Sequence, residues 1–140
     1  MLPEGWAEEK LGTIATVERG RFSVRPRNDP RYFDGAYPFV QTGDVTQSGI
    51  YLRTFSQTLN DAGLAVSKLF PANSILMTIA ANIGEVTITT FPVACPDSLV
   101  GIIPHSHKAN VVWLVNYFEM EKEVLDRNAP AHPWKAIHGL

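Results

Sequence analysis

Three short clusters in this 140-residue chain carry side chains able to do chemistry. His105 and His107 could share a metal, but a zinc site needs further Cys, His or carboxylate ligands at suitable spacing, and none stands near them. A surface turn after Pro104 is the simpler expectation, and no metal site is assigned. Asp97 and Ser98, with a histidine, have the residue types of a hydrolytic triad, yet no Gly-x-Ser-x-Gly elbow surrounds Ser98. Glu8-Glu9-Lys10 has the acidic-x-Lys ending of a nuclease motif, while the only Pro-Asp pair, Pro96-Asp97, lies downstream of it. Solvated charge on a helix explains those three residues better. No glycine-rich phosphate loop or dinucleotide fingerprint is present. The chain therefore reads as no enzyme, with no catalytic residue and no cofactor.

The strongest remaining signal is electrostatic. Five of the twelve basic residues, Arg19, Arg21, Arg25, Arg27 and Arg31, fall within thirteen positions, opposed there only by Asp29. All five are arginine, whose planar fork suits bidentate contact with a phosphate or a guanine edge better than lysine does. The competing reading is a solvated loop whose arginines pair with Glu18, Asp29 and Asp34.

Composition bounds what else the chain can be. With 45% hydrophobic residues it can build one sizeable core, hence one domain. A single cysteine, Cys95, excludes an internal disulfide, and the N-terminus lacks the regions of a signal peptide, which fits a reducing cytoplasm. Apolar runs such as 109–115 are far short of the roughly 20 residues that cross a bilayer, so a soluble protein is expected. A net charge of −2 does not by itself predict a nucleic-acid binder.

The elements that must position these residues follow from periodicity. Trp6 to Val17 has apolar residues at helical spacing, ending at Gly20, and predicts a short amphipathic helix. Residues 21–36 have the Pro, Asn, Asp and Gly content of a long irregular loop, a setting where function concentrates. Short β-type runs follow at Pro38 to Gln41, Ile50 to Phe55, Ser74 to Ile79, Glu85 to Thr90 and Ser98 to Ile103. Asn60 to Leu64 reads as a capped single turn, Phe70 to Asn73 as a turn feeding a buried strand, and Gly84 as a tight corner. Ala109 to Arg127 has the clearest helical period, with Val112, Val115, Phe118 and Met120 on one side and Glu119, Glu121, Lys122 and Glu123 on the other. The predicted fold is an α/β (α+β) domain with a bent mixed β-sheet, flanking helices and long loops. It spans 1–131, with 132–140 as a tail.

Ordered blocks carry a resemblance. Leu2-Pro3-Glu4-Gly5-Trp6 with Lys10-Leu11-Gly12 opens the series, followed by Tyr37-Pro38-Phe39-Val40-Gln41-Thr42-Gly43-Asp44-Val45. Gly63-Leu64-Ala65-Val66-Ser67-Lys68-Leu69-Phe70-Pro71, Ile83-Gly84-Glu85-Val86 and Cys95-Pro96-Asp97-Ser98-Leu99-Val100-Gly101-Ile102-Ile103-Pro104 complete it. In this order they resemble the target recognition domain of a type I restriction-modification specificity subunit, over about residues 2–131. The family often has Asn-Gln where this chain has Asp97-Ser98. Complete subunits of that family resemble two such domains joined by helical spacers, so a truncated form or a stand-alone half-subunit is the expectation here.

The resemblance implies a non-catalytic module that reads one half of a bipartite double-stranded DNA target and positions methyltransferase subunits. Such a reader needs phosphate contacts for register and base-edge contacts for sequence. Candidates for phosphate and groove contact are Arg19, Arg21, Arg25, Arg27 and Arg31 in the long loop, with Arg53 and Lys68 on neighbouring turns. Candidates for base-edge contact are Gln41, Thr42 and Asn82, since amides and hydroxyls can pair with base edges. Thr42 and Asp44 also suit a turn-stabilising role, and Asn82 could be a turn residue beside Gly84. The alternative, which the missing second half and the net charge favour, is a protein interaction module that has lost DNA affinity. A second copy pairing through the apolar side of the 109–127 helix would restore a two-fold reader.

Overall fold

The computed structural model describes residues 14–80, 82–105 and 110–128. Among the described residues eight strands divide between two four-stranded sheets. The first has the order β1 (Ala15–Arg19), β8 (Leu99–Pro104), β5 (Ile75–Thr78), β6 (Val86–Ile88), antiparallel throughout. The second has the order β3 (Gln57–Leu59), β2 (Phe33–Phe39), β7 (Val93–Ala94), β4 (Leu69–Phe70), in which β2 and β7 run parallel and the other pairs antiparallel. The mixed pairing and flanking helices match the expected class, with the strands split between two sheets rather than held in one bent sheet.

The first sheet is buried on both faces, and its central strands show why their sequence is almost continuously apolar. Ile75 and Met77 of β5, with Val100 and Ile102 of β8, pack beneath the C-terminal helix α3 (Val111–Asn128), against Leu114, Val115 and Phe118. The alternate residues Leu76 and Leu99 face the other way, into a cluster with Val40, Val45, Leu52, Phe70, Val93 and Cys95. A third cluster centres on Phe22, Phe39 and Leu59, where the Phe22 ring lies 4.9 Å from that of Phe39, tilted by 52°, and anchors the start of the arginine-rich loop. Burial pushes the Cys95 thiol up to about 12.

Several expectations are corrected. The end of the predicted N-terminal helix is strand β1, whose β-branched Thr16 and Val17 suit the five-residue ladder to β8; Trp6 and Glu8 to Lys10 lie outside the described residues. Ile50 to Phe55 is not a strand: Tyr51 makes one isolated bridge to Ile88, and Leu52 is the only buried residue of the run. Thr42 to Ser48 forms helix α1 rather than a turn, because the Asp44 carboxylate accepts from the Gln41 amide (2.9 Å) in the manner of a capping box. On α3 the buried stripe is Leu114, Val115 and Phe118, while Val112 and Met120, expected on the apolar side, are exposed. The capped turn holds: Asn60 caps helix α2 (Asp61–Ala65), its side chain accepting from Gly63 N at 2.9 Å. Gly84 turns the β5–β6 corner at φ 90°, a left-handed conformation suited to glycine.

Gly20 lets β1 cross the Cys95–Pro96 segment at close range. A Cβ there would lie 2.2 Å from the Pro96 carbonyl oxygen and 2.6 Å from the Cys95 sulfur. Replacing Gly20 with Ala should therefore lower stability by about 1–3 kcal/mol, as overpacking against backbone does. Gly43 in α1 has open space around it, so Gly43→Ala should instead raise stability by up to about 1 kcal/mol through helix propensity. Urea titrations of the two variants check both signs. Because the folded thiol titrates near 12, Cys95 should resist an aromatic disulfide reagent at pH 8 and react at once in denaturant. Its raised value also means that stability declines as pH climbs from about 9 toward about 12, since the unfolded chain ionises first.

Candidate nucleic-acid interface

The strand register brings distant residues to one end of the first sheet. Arg19 pairs with Val100, and Thr78 with Leu99, so the last residue of β1, the last of β5 and the first of β8 lie side by side. The turn entering β8 is Asp97-Ser98, and four neighbours bond to it. Arg19 Nε donates to the Asp97 carbonyl (2.8 Å), Arg27 Nη2 to the Asp97 carboxylate (3.3 Å), the Thr42 hydroxyl to Ser98 Oγ (3.4 Å) and the Ile79 amide to the Ser98 carbonyl (3.0 Å). Asn82 sits on the corner just beyond, where its carbonyl accepts from the Thr78 hydroxyl. Gln41, at the start of α1 beside Thr42, gives its side-chain amide to Gln57.

Of the ten candidate contacts, Arg19, Arg27 and Thr42 thus converge on one turn, with Gln41 next to Thr42 in the chain and Asn82 three residues beyond Ile79. The others are held elsewhere. Arg21 donates to the Ser67 carbonyl (2.9 Å), and Lys68 pairs with Glu18. Arg31 closes on Asp29 through both Nε and Nη2 and lies 5.6 Å from the Tyr32 ring centroid. The Arg31 guanidinium first, and the Arg31 backbone amide second, hold the Asp29 carboxyl below its ordinary range by donating hydrogen bonds to it. Among the described residues Arg25 bonds only to its neighbour's carbonyl, Val24 O (2.8 Å), and Arg53 is exposed without an ion-pair partner. The pairing of loop arginines with acids is therefore real for Asp29. Glu18 takes a lysine instead.

Asp97, Ser98 and Gln57 were not among the residues singled out as contacts from sequence. Aspartate is the ordinary partner of arginine, but Arg27 and Asp97 stand seventy positions apart, and no local signal joins them. At the turn one guanidinium meets the Asp97 carboxylate and a second the Asp97 backbone carbonyl, which leaves local positive charge on a chain whose total is negative. The arrangement can donate to anionic or base-edge acceptors, and it offers no nucleophile with a base at hand. A separate concavity is lined by Phe33, Asp34, Phe55, Ser56, Gln57 and Thr58, where Asp34 is the sole titratable group. Among the described residues no three His, Cys, Asp or Glu side chains gather as a metal site would need. His105 instead places Nε2 3.1 Å from the Thr16 hydroxyl; His107 lies outside the described residues. No helix among the described residues is long and apolar enough to cross a membrane.

Comparison with known proteins accords with this architecture. Residues 3–129 match the family described as the type I restriction modification DNA specificity domain. Over 59 residues, 42% of this chain and 15% of the relative, the sequence is 34% identical to the Escherichia coli type I restriction enzyme EcoprrI specificity subunit. The fold is similar to that in a crystal structure of the HsdS subunit from Thermoanaerobacter tengcongensis, with a TM-score of 0.71 at 18% identity, covering 88% of this chain and 29% of that one. A structure reported for complex assembly and conformational transition of the type I R-M system gives a TM-score of 0.68, also at 18% identity, covering 87% of this chain and 29% of the other. The chain thus spans less than a third of the length of the relatives it matches. With nearly all of its length inside one family match and its two-sheet fold shared with such subunits, the chain belongs to the type I restriction modification DNA specificity domain family.

Proposed function

We propose that this domain reads one half of a bipartite double-stranded DNA target and presents it to methyltransferase subunits, taking no catalytic part itself. The observation that carries the reading is the convergence of Arg19, Arg27 and Thr42 on the Asp97-Ser98 turn at one sheet end. Cations and hydroxyls gathered at one sheet end from a strand, a loop and a helix start meet what recognition requires: charge to hold register on the phosphates and directional groups to test base edges. Arg25 supplies a phosphate contact from the loop, and Asn82 and Gln41 extend the readout on either side of the turn. Arg53 and Lys68 add weaker electrostatic attraction. Glu18 must release Lys68 for it to act, a small demand, since exposed ion pairs contribute little to stability.

The protein partner docks on α3. Val112, Trp113, Tyr117 and Met120 are exposed along it, and the rings of Trp113 and Tyr117 stack 5.6 Å apart. Aromatic side chains of this kind favour a protein surface as partner. A methyltransferase subunit is the occupant expected from the family, and pairing with a second copy is the alternative that light scattering separates from it.

Fluorescence anisotropy of the full chain against a randomised duplex pool, at several salt concentrations and with the bound pool sequenced, tests the reading. Salt-sensitive binding that enriches a short motif is expected; no binding even at low salt would sink it. In the same assay Arg25→Ala should weaken binding evenly across sequences. It should also shallow the slope of log affinity against log salt by about 1, the signature of one lost phosphate contact. An unchanged slope would remove Arg25 from the interface.

A further inference from the structure

We infer that Arg27 and Asp97 form a base-reading pair, with Arg27 addressing a guanine edge and Asp97 accepting from cytosine N4, rather than Arg27 serving as a phosphate anchor. The inference rests on the DNA-reading function proposed above and specifies which chemistry this turn recognises.

Geometry and electrostatics favour it. Arg27 gives one hydrogen bond, from Nη2 to Asp97 Oδ1 at 3.3 Å, and the two side chains are 47% and 50% exposed. About half of each side chain is therefore open to solvent, and among the described residues the pair shares only this one hydrogen bond. Arg31 is the contrasting case, since both Nε and Nη2 are already spent on Asp29 two residues away. That pair closes on itself and caps the short 3₁₀ turn Pro30–Tyr32.

A phosphate seated on Arg27 would bring its oxygens to roughly 6 Å from the Asp97 carboxylate, inside the screening length at physiological salt, so like charges would repel. A guanine presents O6 and N7, neutral acceptors matched to the arginine fork, and a cytosine presents the N4 amine that a carboxylate accepts. The same carboxylate that discourages phosphate thus favours a G·C edge. It also holds the guanidinium in place beforehand, which reduces the ordering that binding requires. Arg19, bonded to the backbone carbonyl of the same residue at 2.8 Å, steadies the turn from the other side.

The test uses the full chain and the randomised duplex pool, comparing wild type with Arg27→Lys and Asp97→Asn after thermal melts show both variants folded. Lysine keeps the charge and loses the fork. Wild type should enrich guanine at one position. Arg27→Lys should reduce that preference roughly tenfold while leaving the salt slope unaltered, and Asp97→Asn should relax the cytosine preference at the same or the adjacent base pair. If Arg27→Lys keeps the wild-type motif while Arg27→Ala weakens all sequences alike and shallows the salt slope by about 1, Arg27 is a phosphate contact and the inference is overturned. If wild type enriches no motif, the underlying reading fails, and the inference with it, which is a result distinct from the preceding one.

Discussion

Gly20 is where the chain crosses itself, and the position of everything at the candidate interface depends on that crossing. Its amide donates to the Leu99 carbonyl and the next amide, from Arg21, donates to the Cys95 carbonyl, both at 2.9 Å. The first bond continues the β1–β8 ladder, and the second ties the chain to the buried segment that follows β7. Two successive residues therefore tie β1 to β8 and to that segment, and at the first of them only a residue without a Cβ can lie this close to the Pro96 carbonyl. Arg19 precedes the joint and the arginine-rich loop leaves from it. Phe22, locked among Phe33, Phe39 and Tyr32, then sets the direction of the loop. Arg27 reaches Asp97 because both ends of its loop are held by the core.

The arginines serve two purposes that are compatible because exposed ion pairs are weak. In the isolated domain they bond to the Asp97 carbonyl, the Ser67 carbonyl, Asp97 and Asp29, and so order a loop of unpromising composition. Each such bond is exposed or partly so and can be exchanged for a stronger charge-assisted contact when an anionic partner arrives. The overall charge of −2 is a poor guide to this behaviour, since what a duplex meets is the field at one sheet end.

Much of the fold was legible along the chain, for reasons that particular segments make plain. β5, β6 and β8 are apolar runs bounded by turn residues, and burial on both faces of the first sheet is what such runs require. Asn60 announced α2 because an N-cap is a local signal. β1 was misread because four apolar positions happened to fit a helical period, whereas its conformation is imposed by β8, more than eighty residues away. α1 was missed because its cap is Gln41 with Asp44, a weaker form of the usual motif. β3, β4 and β7 hold two or three residues each and exist only as partners of β2 and of one another.

The candidate site divides along the same line. The chain alone determined that arginine would be concentrated between positions 19 and 31, that a β-type run would begin near Ser98, and that a long helix would follow, since residue type, β pattern and periodicity are local properties. Its blocks likewise sufficed to suggest the family. Which arginine meets which acid was decided by tertiary structure: the antiparallel register of β1, β8 and β5 and the crossing at Gly20 bring residues seventy or more positions apart within hydrogen-bonding distance. Pairing of that kind depends on sheet order and close packing, which no stretch of sequence encodes by itself.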